Sequence, residues 1–112
     1  MQRRTLLAST LLAASGTILA GMARAAPAAA AEVTIDNFTF TPPVLTVAAG
    51  TRVTWTNHDD IPHTVVSRET PAAKRSPVLD TGDSYSLTFD KRGNYGFFCS
   101  LHPHMQSQVV VQ

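Results

Sequence analysis

The chain has 112 residues, with nine Lys and Arg against eight Asp and Glu, one cysteine and one tryptophan. That length holds one small domain and excludes a multidomain enzyme. The lone cysteine excludes an intramolecular disulfide, and the near-even charge excludes the concentrated basic face of a nucleic-acid binder.

Residues 1–25 read as an export segment outside the fold. Arg3 and Arg4 make a positive start, and the uncharged stretch from Thr5 to Ala23 carries Leu6, Leu7, Leu11, Leu12, Ile18 and Leu19. Ala23-Arg24-Ala25 then offers a small-residue cleavage site, completing the secretory pattern. A membrane span is the competing reading. Ser9, Thr10, Ser15, Gly16, Thr17 and Gly21 interrupt the run, however, and weaken its drive into lipid. The paired arginines also fit twin-arginine export of a folded chain. The expected location is the periplasm, with no membrane span in the mature form. Cleavage leaves 87 residues, six basic and eight acidic side chains for a formal charge of −2, and Met105 as the sole methionine. The Ala-rich stretch 26–31 is expected to be a disordered leader, and the folded domain to occupy 32–112.

From Val33 onward the chain reads as short strands broken by turn residues. Val33-Thr34-Ile35 and Phe38-Thr39-Phe40 alternate apolar and polar around a bend at Asp36-Asn37. Pro42-Pro43 interrupts, Val44 to Val47 resumes, and Gly50 turns the chain into Thr51–Thr56, where Val53 and Trp55 share a face. Ser67 to Pro77 is the longest irregular stretch. Turn clusters at 80–83 and 90–93 flank Tyr85, Leu87 and Phe89, and segments 94–99 and 108–111 close the chain. No apolar spacing sustains a helix for three turns. The pattern predicts an all-β, antiparallel β-sandwich of seven to eight strands.

The potential metal ligands fall in two groups. Cys99, His102, His104 and Met105 lie within seven residues, while His58 and His63 lie together some forty positions upstream. One thiolate, two imidazoles and a thioether form a soft-to-borderline set that suits both oxidation states of copper, as in trigonal His₂Cys sites with a long axial Met. Cys99, His102 and Met105 are three apart in succession, so one loop can turn all three inward around a single ion. His63 would then complete the set from a distant segment, at a loop-closure cost borne by folding. Ligands held in place in both oxidation states suit electron transfer.

These residues resemble the cupredoxins, the blue copper proteins, in their plastocyanin and amicyanin branch. The likeness runs from Val33 to Val111. Val53-Thr54-Trp55-Thr56-Asn57 with Ile61-Pro62-His63-Thr64-Val65 resembles the first-ligand region. Gly93 through Met105 resembles the ligand loop, with the short Cys-x₂-His-x₂-Met spacing of amicyanin. The resemblance implies a Greek-key sandwich holding one type 1 copper ion, with His63, Cys99 and His102 equatorial and Met105 axial. It also implies a monomer that passes single electrons between redox proteins, of cytochrome or dehydrogenase type, and is not an enzyme. Three positions depart from the family pattern: Leu101 replaces a proline before the second histidine, Thr64 replaces an asparagine after the first, and His104 stands where a non-ligand is usual.

Other readings weigh less. A copper delivery, storage or sensing module on the same fold would share the ligands but exchange metal rapidly. A zinc site on Cys99, His102, His104 and His63 leaves Met105 without a role. Thiol catalysis by Cys99 lacks an oxyanion-stabilising loop or a substrate cleft. His58, Asp59 and Asp60 read as a solvated loop. Arg68, Lys74, Arg75, Lys91 and Arg92 read as a solvated face able to steer an acidic partner. Ile61, Pro62, Leu101 and Pro103 are expected to form an apolar rim around His102, and Ser100 to hydrogen-bond within the ligand loop.

Overall fold

The computed structural model describes residues 29–112. The expected export segment and the first part of the Ala-rich leader lie outside the described residues. Eight strands follow in chain order: β1 (Ala30–Asp36), β2 (Thr39–Thr41), β3 (Val44–Val47), β4 (Thr51–Asn57), β5 (Val66–Ser67), β6 (Ser84–Phe89), β7 (Gly93–Phe98) and β8 (Gln106–Val111). They form two four-stranded sheets ordered β2-β1-β4-β6 and β3-β8-β7-β5. The sandwich expected from the sequence is therefore present.

Two details differ from expectation. The sheets are mixed rather than purely antiparallel, because β1 pairs with β4 and β3 with β8 in parallel. Parallel neighbours need a long crossover. The chain supplies it by leaving the first sheet after β2, forming β3 in the second, and returning as β4. Alternation along a strand reports which face is buried, not which way its neighbour runs. The second difference lies at the leader: Ala30 and Ala31 belong to β1, opposite Arg52 and Val53, and the Arg52 N–H donates to the Ala29 carbonyl at 2.9 Å. Backbone pairing orders these residues, with Ala31 also packed against the core and Ala30 left exposed.

Alternation places the core. Along β4, Thr51, Val53, Trp55 and Asn57 point inward, and along β8 Ser107, Val109 and Val111 do so. Trp55 packs on Phe97 with ring centroids 5.0 Å apart, and Val33, Ile35, Phe40 and Leu79 close around them. Each such fully buried aliphatic or aromatic side chain contributes about 1.5–3 kcal/mol. Cys99 and Met105 belong to this same buried cluster, so the expected ligand loop is rooted in the core. Among the described residues no helix is long and apolar enough to cross a membrane.

Candidate metal centre

The site lies where β4 and β7 end together. Beyond Asn57 the chain runs through an irregular loop to His63, which is fully buried and pairs with Leu79 in both directions: the His63 N–H donates to the Leu79 carbonyl at 3.1 Å, and the Leu79 N–H donates to the His63 carbonyl at 2.8 Å. Asn57 occupies the last inward position of β4. Its amide donates to the carbonyls of Ile61 and Leu79, both at 2.9 Å, while its Oδ1 accepts the Asp59 N–H at 2.8 Å. A buried amide in the core must find partners, and here those partners brace the loop that carries His63.

From the other sheet, Cys99 follows the last residue of β7 and starts a tight loop back to β8. The His102 N–H donates to the Cys99 carbonyl at 3.2 Å, the Met105 N–H to the His102 carbonyl at 2.9 Å, and the Cys99 N–H to the Met105 carbonyl at 3.2 Å. This nesting turns Cys99 and His102 toward His63. Cys99 Sγ lies 3.7 Å from Nδ1 of His63 and 3.7 Å from Nδ1 of His102. The three ligand atoms all fall within 4.8 Å of one another, the one such group among the described residues. Met105 is buried and belongs to the same core cluster as Cys99. His58 and His104 are exposed and stand outside the group, the His104 ring being 6.5 Å from that of His102.

The spacing and the chemistry of this donor set fit a metal ion. Bonds of about 2.1 Å to nitrogen and about 2.3 Å to sulfur, meeting at one ion, span roughly the sulfur–nitrogen separation seen here. The thiol is also prepared for ligation. Burial pushes Cys99 up, but the Thr64 amide at 3.4 Å, His63, His102 and the Thr64 hydroxyl outweigh it and lower its pKa to about 6. The thiolate, which is the metal-binding form, is thus held by the fold itself.

The family model for the cupredoxin-like domain matches residues 5–111. The chain belongs to the cupredoxin family. Among curated relatives it is 37% identical to amicyanin-alpha of Methylorubrum extorquens, over 78% of this chain and 76% of that one. It is 36% identical to the chloroplastic plastocyanin of Tetradesmus obliquus, over 88% and 79% of the two chains. Among solved structures, the purple cupredoxin from Nitrosopumilus maritimus superposes with a TM-score of 0.68 at 33% identity, covering 73% of this chain and 99% of that one. Family and donor set together imply one resident copper ion and copper-based electron transfer. Copper would supply a reversible one-electron couple, and His63, Cys99 and His102 present the ligand-like arrangement that could hold it.

Around this cupredoxin's site, three residues differ from the sequence expectation. Asp59 is buried rather than solvated. The Phe38 amide, donating to its Oδ2 at 3.0 Å, is the largest influence lowering its pKa to about 2, with His63 next. An ionised carboxylate only accepts, so His63 Nε2, 2.9 Å away, donates to it, and this bond fixes the ring with Nδ1 turned toward Cys99 Sγ. Ser100, expected to bond within its loop, instead reaches across to Thr64. The Ser100 N–H donates to Thr64 Oγ1 at 2.8 Å, and the two hydroxyls lie 2.8 Å apart. Thr64 therefore ties the ligand loop to the scaffold, and its hydroxyl also points at Cys99 Sγ at 3.8 Å. Phe38, expected within a strand, sits in the β1–β2 turn. One signal for Asn57 was readable, since its parity with Val53 and Trp55 put a polar side chain at a core position. Nothing local marks Asp59 or Phe38.

Proposed function

We propose that this cupredoxin is a periplasmic type 1 blue copper protein that carries single electrons between a redox donor and a redox acceptor. His63, Cys99 and His102 serve as equatorial ligands and Met105 as the axial one. The observation that carries this reading is the convergence of one thiol and two imidazole Nδ1 atoms from opposite sheets, at 3.7 Å each. Cys99 contributes the thiolate, His63 a fixed imidazole, and His102 the half-buried imidazole through which electrons reach the surface. Leu101, 48% exposed, and Phe38, 44% exposed, flank that edge with Pro62 and Pro103 as an apolar docking face. The Arg3-Arg4 start, apolar run and Ala23-Arg24-Ala25 site support export.

Charge distribution bears on the partner. Lys91 and Arg92 sit at the β6–β7 turn, and the length of β7 separates them from Cys99. Asp36, Asp60, Asp80 and Asp83 are exposed around the metal end of the first sheet. On the first-sheet side this charge favours a partner with a basic face, while exposed Arg75, bridged to Val66 beside the end of β7, presents a positive charge on the second-sheet side.

The test is a visible spectrum with voltammetry. The copper(II)-loaded mature protein should absorb intensely in the red and cycle reversibly. Cys99→Ser should abolish that absorption, and Met105→Gln should keep it while lowering the potential. A colourless copper complex of the folded protein would overturn the reading, and rapid metal exchange with poor reversibility would favour copper handling instead.

A further inference from the structure

The turn between β1 and β2 holds two consecutive residues in the left-handed region, Asn37 at φ 51° and Phe38 at φ 57°. Asparagine tolerates that region, but a bulky aromatic rarely adopts it, because its Cβ crowds the neighbouring carbonyl. Turns of this shape usually place glycine second. Phe38 therefore sits in a costly backbone conformation that the surrounding structure must hold. Asp59 is the holder: one oxygen, Oδ2, accepts the Phe38 N–H at 3.0 Å and lies 2.9 Å from His63 Nε2. The Phe38 ring is then aimed at the metal site. It meets the His63 ring at 5.8 Å with planes 86° apart, and the His102 ring at 5.0 Å with planes 90° apart. Both are favourable edge-to-face contacts. Yet Phe38 remains 44% exposed, so core burial does not account for its strain.

The two histidines need this contact unequally. His63 is buried, paired with Leu79 and hydrogen-bonded to Asp59. His102 is half-buried in a short loop, and its ring has Cys99 Sγ, at 3.7 Å, as its polar partner. A ring held so lightly can rotate out toward solvent. We propose that Phe38 is a positioning residue that clamps the His102 imidazole in its ligating orientation, with Asp59 coupling the clamp to His63. The proposal rests on the reading of His63 and His102 as copper ligands. Removing the phenyl ring frees His102 and shortens the time copper(I) is retained, while removing the strained Cβ relieves the turn.

Phe38→Ala, Phe38→Gly and Phe38→Tyr in the full chain separate these effects. Two quantities are read: the rate at which the copper(I) protein surrenders its metal to a chromogenic chelator without oxygen, and the thermal midpoint of the metal-free protein. Phe38→Ala and Phe38→Gly should both release copper about threefold to tenfold faster than the wild type, the range one edge-to-face aromatic contact supports. Phe38→Tyr should release it at nearly the wild-type rate. The metal-free midpoint should be higher for Phe38→Gly than for Phe38→Ala, since glycine accepts the left-handed turn. If release follows the stability order rather than the presence of a ring, or if all variants release copper at the wild-type rate, the clamp is overturned. If wild-type protein lacks a thiolate-to-copper colour, the ligand assignment has failed first and the clamp falls with it.

Discussion

His63 and His102 present the same ring atom to the same sulfur at the same 3.7 Å, yet the fold holds them by opposite means. The segment 57–64 is braced over long range. Asn57 bonds across to Leu79, Thr81 Oγ1 donates to the Asp59 carbonyl at 2.6 Å, Phe38 reaches Asp59 from another hairpin, and His63 has no exposed surface. The segment 99–105 is braced mainly by bonds among its own three ligand-region residues, plus the Thr64–Ser100 tie. One side supplies rigidity and the other access. An electron carrier needs both, because a preset ligand field limits rearrangement while an imidazole near the surface gives the electron a path out.

The largest expected difference comes from deleting each imidazole in turn. His63→Gly and His102→Gly should both lose the red absorption of the copper(II) protein. Added free imidazole should restore colour in His102→Gly, because the vacated space opens toward solvent. It should restore little in His63→Gly, where the space is enclosed behind Asp59 and Phe38. Spectrophotometric titration with imidazole reads this directly, and equal rescue in the two variants would erase the distinction between a closed and an open side.

A second contrast is energetic. Asn57→Ala leaves the partly buried Ile61 carbonyl and the buried Asp59 amide without their partner, and takes one of two donors from the Leu79 carbonyl, which keeps the His63 amide. Each such orphaned group costs about 1–3 kcal/mol, though the losses are not additive. Ser100→Ala removes one partly exposed hydroxyl bond and should cost about 1 kcal/mol or less. For a domain of this size each kcal/mol lowers the unfolding midpoint by about 4–8 °C. Denaturant or thermal unfolding of the metal-free proteins should therefore rank Asn57→Ala well below Ser100→Ala. Similar midpoints would mean that the upstream segment is not the stiffer half.

The downstream half was the more legible one in the sequence. Cys99, His102 and Met105 announce themselves by residue type and by a spacing short enough for one loop. Strand positions were also readable, since the alternation through Val53, Trp55 and Val109 tracks burial. Pairing direction was not, because a strand with one buried face carries the same pattern whether its neighbour runs parallel or antiparallel. The bracing of His63 was hidden for a different reason. Asp59 stands between His58 and Asp60, both exposed, and its burial depends on a backbone amide 21 residues away. Local composition there says solvent, and only the closed hairpin turn says otherwise. Thr64 was legible as a departure from the family pattern whose hydroxyl could still tie the ligand loop to the scaffold, and only its partner, the Ser100 amide, needed the structure.

Cys99 allows a finer comparison, because both halves act on its sulfur. After burial, which raises its pKa, the strongest influences are the Thr64 amide and then His63, both upstream, ahead of His102 in the loop. The metal-free protein should therefore form thiolate with a midpoint near pH 6, where an ordinary thiol titrates near 9. Between those values the folded state binds fewer protons than the unfolded chain, so stability rises with pH. The contribution is complete above about pH 9 and is lost as pH falls through about 6. Ultraviolet thiolate absorbance gives the midpoint, and unfolding at several pH values gives the slope, which Cys99→Ser should remove. Thr64→Val is the gentlest probe: it deletes the hydroxyl, the weakest of the lowering contacts, but keeps the amide. It should raise the thiol midpoint only slightly while loosening the tie to Ser100. A rise to the ordinary thiol range in that variant would transfer control of the sulfur from the backbone of the rigid segment to a single hydroxyl, reversing the division of labour between the two sides of the site.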